Sequence, residues 1–292
     1  MRGLLWLTWR QHRWVLCSTA VVVLLASWLL IELDLANTPG DAVPLSGFYA
    51  QLVQTAFGGL VGMFWGAPLV AREFEERTYL VAWGQDVSPE RWLAGKVALL
   101  GLVAVLLAVP IGLGDGYRGH QDVSWDVFEV SPLVQAGYVL FGLAAGVLMS
   151  ALVRHTLTSM GLTLALYVAV RMVMSLGARD HYLPTERVLS EVGEARQLPE
   201  GVQIVETGYL DGDGHVMGMP SECTAFVNPQ NCIRTHGGAH SFVDFQPIDR
   251  LPGFQVAEFF AFTAFAAGLF FLAFLRLRRG WRPSRSHRRI AA

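Results

Sequence analysis

Charge is what this sequence has least of. Asp, Glu, Lys and Arg make up 16% of its 292 residues, against about a quarter in a soluble domain. Residues 14–31 carry no charge at all, and neither do residues 48–71. Runs of that length exclude an ordinary soluble domain, because about 20 apolar residues in a helix span the hydrocarbon core of a bilayer. Catalytic signatures are missing too. There is no H-E-x-x-H, no G-x-S-x-G and no G-x-x-x-x-G-K-[ST] phosphate loop. Gly95-Lys96 has no glycine at the required distance before it and Val97 after it. The chain is therefore not expected to be an enzyme or to hydrolyse ATP itself. Cysteine is scarce: Cys17 stands alone in the first apolar run, and Cys223 and Cys232 lie far downstream.

What is present is a set of six apolar runs, at 14–31, 48–71, 97–114, 131–153, 156–178 and 254–275. They do not alternate polar and apolar residues as barrel strands would, so helices are expected. An even number of spans leaves both termini on one side. If that side is cytoplasmic, it holds fifteen of the 22 basic residues, whereas the opposite side holds eighteen of the 24 acids. The asymmetry predicts an N-in, C-in orientation. The expected fold is an all-α membrane protein of six transmembrane helices with a small α+β extracellular domain between the fifth and sixth spans. Residues 1–178 comprise an interfacial N-terminal segment and five spans, with a cytoplasmic loop at 72–96. Residues 179–253 form the extracellular domain, and 254–292 the sixth span and a basic cytoplasmic tail.

Within the extracellular segment, Val188, Leu189 and Val192 have helical spacing behind Thr185, a candidate N-cap. Residues 202–210 are rich in β-branched side chains and run into Asp211-Gly-Asp-Gly214, which predicts a hairpin. Cys223 and Cys232 sit on the oxidising side, and a disulfide between them is expected to staple a small loop-rich domain. No metal site is expected. Asp211-x-Asp213 has Val216 where a calcium loop needs glycine, and the glycines inside His236-Gly-Gly-Ala-His240 disfavour the helix that would align its imidazoles.

The cytoplasmic loop carries the most information. Arg72-Glu-Phe-Glu-Glu-Arg-Thr78 packs three carboxylates and two guanidinium groups just below the second span. Ser88-Pro89-Glu90 reads as a helix start. Between them the apolar stretch 79–83 docks either into a partner's groove or onto the membrane surface.

The stretch Gly66-Ala-Pro-Leu-Val-Ala-Arg-Glu-Phe-Glu-Glu-Arg-Thr-Tyr-Leu-Val-Ala-Trp-Gly-Gln-Asp-Val-Ser-Pro-Glu-Arg-Trp-Leu-Ala-Gly-Lys96 resembles the second span and following loop of ATP-binding-cassette (ABC) export permeases, actinobacterial ones in particular. Gln246-Pro-Ile-Asp-Arg-Leu-Pro-Gly-Phe-Gln-Val-Ala-Glu258 is similar to that family's approach to its last span, and Trp9-Arg-Gln-His-Arg13 is also typical. The resemblance implies the transmembrane subunit of an exporter in a bacterial plasma membrane. Two nucleotide-binding ATPase subunits would dock below it and bind ATP and Mg, with no cofactor in this chain. A second permease copy or a paralogue would complete the pathway in the lipid bilayer, and no nucleic acid is involved. By the same resemblance Arg72, Glu73, Glu75, Glu76, Thr78, Tyr79, Leu80, Trp83 and Gln85 couple the permease to the ATPase. The substrate would be a hydrophobic or amphipathic drug, lipid or peptide. The rival reading is a non-transporting sensor or immunity protein that uses the extracellular domain as a receptor.

Two intramembrane features bear on mechanism. Gly58, Gly62 and Gly66 form a small-residue stripe, as do Gly142 and Gly146, suited to packing within the subunit, to a dimer seam or to pathway lining. Arg171 and Glu258 are lone charges in the fifth and sixth spans, at similar expected depths, and are expected to pair rather than meet substrate.

Overall fold

The computed structural model describes residues 2–36, 45–76, 88–116, 125–194, 198–224 and 229–280. The helices are α1 (Arg2–Ala36), α2 (Leu45–Val61), a π-helical turn (Gly62–Gly66), α3 (Ala67–Glu75), α4 (Pro89–Gly116), α5 (Pro132–Val153), α6 (Thr156–Val173), α7 (Gln230–Thr235) and α8 (Leu251–Gly280). Among the described residues five helical stretches are long and apolar enough to cross a membrane: Leu52–Glu75, Glu90–Ile111, Pro132–Val153, Thr156–His181 and Ile248–Arg279. A further apolar stretch, Leu16–Leu29, is described within α1, inside the expected first span at 14–31.

The chain divides into two compact units. One comprises Met1–His120, Glu129–Val173 and Gln255–Ala292, the other Gln121–Phe128 and Met174–Phe254. In the first unit α5 is the central helix, buried almost continuously from Val134 to Ala151. Its start and stop are local chemistry. Ser131 is extended before Pro132 at the first turn, and Arg154 ends the helix in the left-handed region at φ 58°. The centre is accessible to neighbours because its side chains are small. A Cβ on Gly142 would collide with the Gly58 carbonyl oxygen, and one on Gly146 with that of Gly62. From the other side, a Cβ on Gly66 would lie 2.7 Å from the Leu143 carbonyl oxygen. The two glycine stripes thus face each other inside this unit, backbone against backbone. Ser88 Oγ accepts the Arg91 N–H at 3.3 Å and caps α4.

The second unit is built on an antiparallel sheet in the order β1-β4-β2-β3, with β1 Glu186–Glu191, β2 Gln203–Asp211, β3 Val216–Met217 and β4 Gly238–Gln246. The hairpin read from Asp211-Gly-Asp-Gly214 joins β2 to β3, with Tyr209 opposite Met217. Asp211 Oδ1 accepts the N–H groups of Asp213 at 3.0 Å and His215 at 2.8 Å, and Gly214 takes φ +84°. Those N–H groups, that of His215 foremost, hold the Asp211 carboxyl below its usual range.

The helix expected after Thr185 is instead strand β1, paired with β4 from Glu186 opposite Phe245 to Glu191 opposite His240. The reason is a shared period. Val188 and Val192 are four apart, which suits a helix face and equally one face of a strand, with Ser190 between them and Leu189 pointing outward. Pairing decides: Arg187 forks onto Asp244 at 2.6 and 2.7 Å and lies over the Phe242 ring. Beside the sheet, Val192, Cys223 and Ile233 form a small buried cluster, and a disulfide joins Cys223 to Cys232 with Cα atoms 5.6 Å apart.

Candidate functional site

The acidic segment at the end of α3 is the point where the first unit's helices are tied together. Successive residues on a helix point about 100° apart, so a run of polar residues reaches in several directions. Here each direction is occupied. Arg72 Nε donates to Glu76 Oε1 at 2.7 Å on the exposed side. Glu73 Oε1 accepts Lys96 Nζ of α4 at 2.9 Å, with the lysine side chain only 5% exposed. The Lys96 ammonium also lies 4.2 Å from the Trp92 ring centroid, a favourable placement for a buried cation. Phe74 lies under the Arg154 guanidinium, 4.5 Å from ring centroid to Cζ, in the turn between α5 and α6.

Glu75 makes the most specific contact. Its Oε1 accepts the Thr156 N–H at 3.0 Å and its Oε2 the Thr156 hydroxyl at 2.5 Å. Thr156 is the first residue of α6, so Glu75 satisfies an otherwise orphaned donor and places a negative charge at the positive end of the helix dipole. His155 Nδ1 lies 3.7 Å from the same carboxylate. Arg278, near the end of α8, reaches Glu90 at the start of α4 at 3.5 Å. The arrangement can transmit force: a displacement of residues 72–76 moves α4, the α5–α6 turn and the start of α6 together.

Of the expected coupling residues, Arg72, Glu73, Glu75 and Glu76 are thus in contact with other helices or one another. Thr78, Tyr79, Leu80, Trp83 and Gln85 lie outside the described residues. The sequence reading missed the partners Lys96, Arg154 and Thr156. Lys96 and Arg154-His155 were the only signals available: basic residues at the margins of apolar runs.

The family model for ABC-2 membrane transporter related proteins matches residues 34–179, half of the chain, including the acidic segment at 72–76 and its partners Lys96, Arg154 and Thr156. The chain belongs to the ABC-2 membrane transporter related family. It is a permease-type integral membrane subunit, of a family that works with an ATP-binding subunit. No curated protein and no solved structure matches it.

In this ABC-2 permease the two intramembrane charges share a larger cluster than the expected pair. Arg171 Nη2 donates to Glu129 Oε2 at 2.7 Å, while Glu258 Oε1 is 3.9 Å from Arg171 Nη1. Tyr138 joins them, with its hydroxyl donating to Glu258 Oε1 at 2.9 Å and its ring centroid 3.6 Å from the guanidinium carbon. Glu129 was overlooked because it lies outside the apolar runs, just before α5. Gly58, Gly62 and Gly66 face α5 of the same chain, and Gly142 and Gly146 of α5 face them in return.

Proposed function

We propose that the chain is the transmembrane subunit of an ATP-driven exporter in a bacterial plasma membrane, with six spans in an N-in, C-in orientation and the β-sheet unit outside. Two nucleotide-binding subunits dock on the segment that begins at Arg72 and runs through Thr78, Tyr79, Leu80, Trp83 and Gln85. They bind ATP and Mg; this chain supplies no cofactor. A second permease, identical or paralogous, completes the pathway for a hydrophobic or amphipathic substrate.

The observation that carries this reading is the bonding of residues 73–75, which ties the docking segment to three other parts of the bundle. When the ATPases close on ATP, the segment moves with them. Glu73 passes the movement to α4 through Lys96, and Glu75 passes it to α6 through Thr156. Rigid helices carry a displacement of their ends along their length, which is how access would switch.

Co-purification of the full chain with a co-expressed nucleotide-binding ATPase subunit tests the reading. Tyr79→Asp or Leu80→Asp should weaken the complex and leave membrane insertion intact. Undiminished complex formation in both variants would overturn it.

A further inference from the structure

Two cavities in the first unit meet at the π-helical turn. One, of ≈ 520 Å³, lies between α1 and α2, lined by residues such as Val22, Ala26, Leu52 and Leu60. The other, of ≈ 330 Å³, has an apolar floor that includes Leu16 and Leu69, and a rim of Arg72, Glu73, Glu76 and Lys96. Phe64 and Trp65 line both, so an apolar cavity and one with a charged rim adjoin at these two side chains.

The apolar cavity follows from the packing of α2. That helix gives its glycine face to α5, which leaves the side bearing Leu52, Leu60 and Phe64 between 43% and 54% exposed. From Leu52 to Trp65 the apolar cavity runs about 20 Å at the helical rise. That length accommodates one extended acyl chain and falls short of the ~30 Å hydrocarbon core. The charged rim narrows the choice of headgroup. Among the described residues it holds two cations and two carboxylates, matched as Arg72–Glu76 at 2.7 Å and Lys96–Glu73 at 2.9 Å. A headgroup of one sign leaves an unmatched charge beside these pairs. A headgroup with one charge of each sign extends them, its phosphate on the Arg72 fork and its ammonium on Glu76. A primary ammonium can donate hydrogen bonds to that carboxylate, and a quaternary one cannot.

We propose that these adjoining cavities are a binding site for a phospholipid with a primary-amine zwitterionic headgroup, one acyl chain lying between α1 and α2 and the headgroup among Arg72, Glu73, Glu76 and Lys96. The site concerns binding by this chain alone and holds whether or not the lipid is transported.

Photo-crosslinking of the purified full chain tests it. The chain is reconstituted in phosphatidylcholine vesicles doped with equal amounts of tail-photoreactive phosphatidylethanolamine, phosphatidylglycerol or phosphatidylcholine, and labelled peptides are mapped. The ethanolamine lipid should label the peptide bearing Phe64 and Trp65 several-fold more than the other two. Ala56→Trp, which fills the apolar cavity, should abolish that label while leaving labels elsewhere unchanged. Glu76→Gln removes a carboxylate from an exposed position and should shift the preference to phosphatidylglycerol. Equal labelling by all three lipids, or a label that Ala56→Trp does not reduce, means annular lipid only and overturns the site. An ethanolamine preference that survives Glu76→Gln overturns the headgroup assignment.

Discussion

The Glu75 carboxylate holds Thr156 by two hydrogen bonds, 3.0 Å from the backbone N–H and 2.5 Å from the hydroxyl, across a separation of 81 residues. One side chain at the end of α3 therefore serves as the cap of α6. Its place in the chain makes it part of the proposed docking segment, and its contacts make it part of the bundle.

Glu75→Ala should lower the midpoint temperature of the detergent-solubilised permease, as the loss of a helix cap does. Thr156→Val removes the hydroxyl contact and keeps the N–H, so it should cost less. The double variant should be less destabilised than the sum of the singles. Strict additivity would show that the two residues do not act on each other.

Arg171 has two acidic neighbours and a tyrosine ring, so its removal leaves Glu129 and Glu258 facing each other in a buried setting. Arg171→Met is expected to cost about 3–5 kcal/mol, as for other broken buried ion pairs. Adding Glu129→Gln and Glu258→Gln to it should recover part of that loss, read as a rise in midpoint temperature over the single variant. A triple variant less stable than Arg171→Met would argue against charge as the cause.

The facing glycines make a sharper contrast. Gly142→Ala sets a methyl against the Gly58 carbonyl and should cost about 1–3 kcal/mol through overpacking. Gly161→Ala in α6 meets nothing within 4 Å and should be neutral or stabilising by up to about 1 kcal/mol. Equal effects in thermal melts of the two variants would remove the case for backbone-to-backbone packing.

In the sheet unit the Cys232 carbonyl and then Glu222 raise the His236 pKa above the ordinary histidine value. The protonated ring is favoured in the folded state, so its contribution is present below the unfolded pKa. It is lost as pH rises through the higher folded value. A histidine Cε1–H titration by NMR should place His236 above 6.5, and Glu222→Gln should lower it. No movement in that variant would dismiss the 3.1 Å contact between the two side chains.

Local signals were legible wherever neighbours in sequence settle the structure. Ser88-Pro89 announces the α4 start, because a cap needs only the residues three ahead of it. Asp211-Gly-Asp-Gly214 announces the hairpin, because its aspartate bonds the turn's own N–H groups. The acidic segment at 72–76 also stands out from the chain by composition alone. Its purpose as a tie between helices does not, since Lys96, Arg154 and Thr156 approach it only after the bundle closes.

What the sequence determined by itself is the solvent in which this chain folds. Long charge-free runs leave helices in a bilayer as the arrangement that satisfies every backbone donor and acceptor. Tertiary structure alone decided which charge meets which. Glu129 precedes Arg171 by 42 residues yet lies closer to it than Glu258 does. Residues 186–191 form a strand because β4 lies alongside them. Depth, period and polarity are properties of one segment, whereas a partner is a property of two, brought together only when the chain packs.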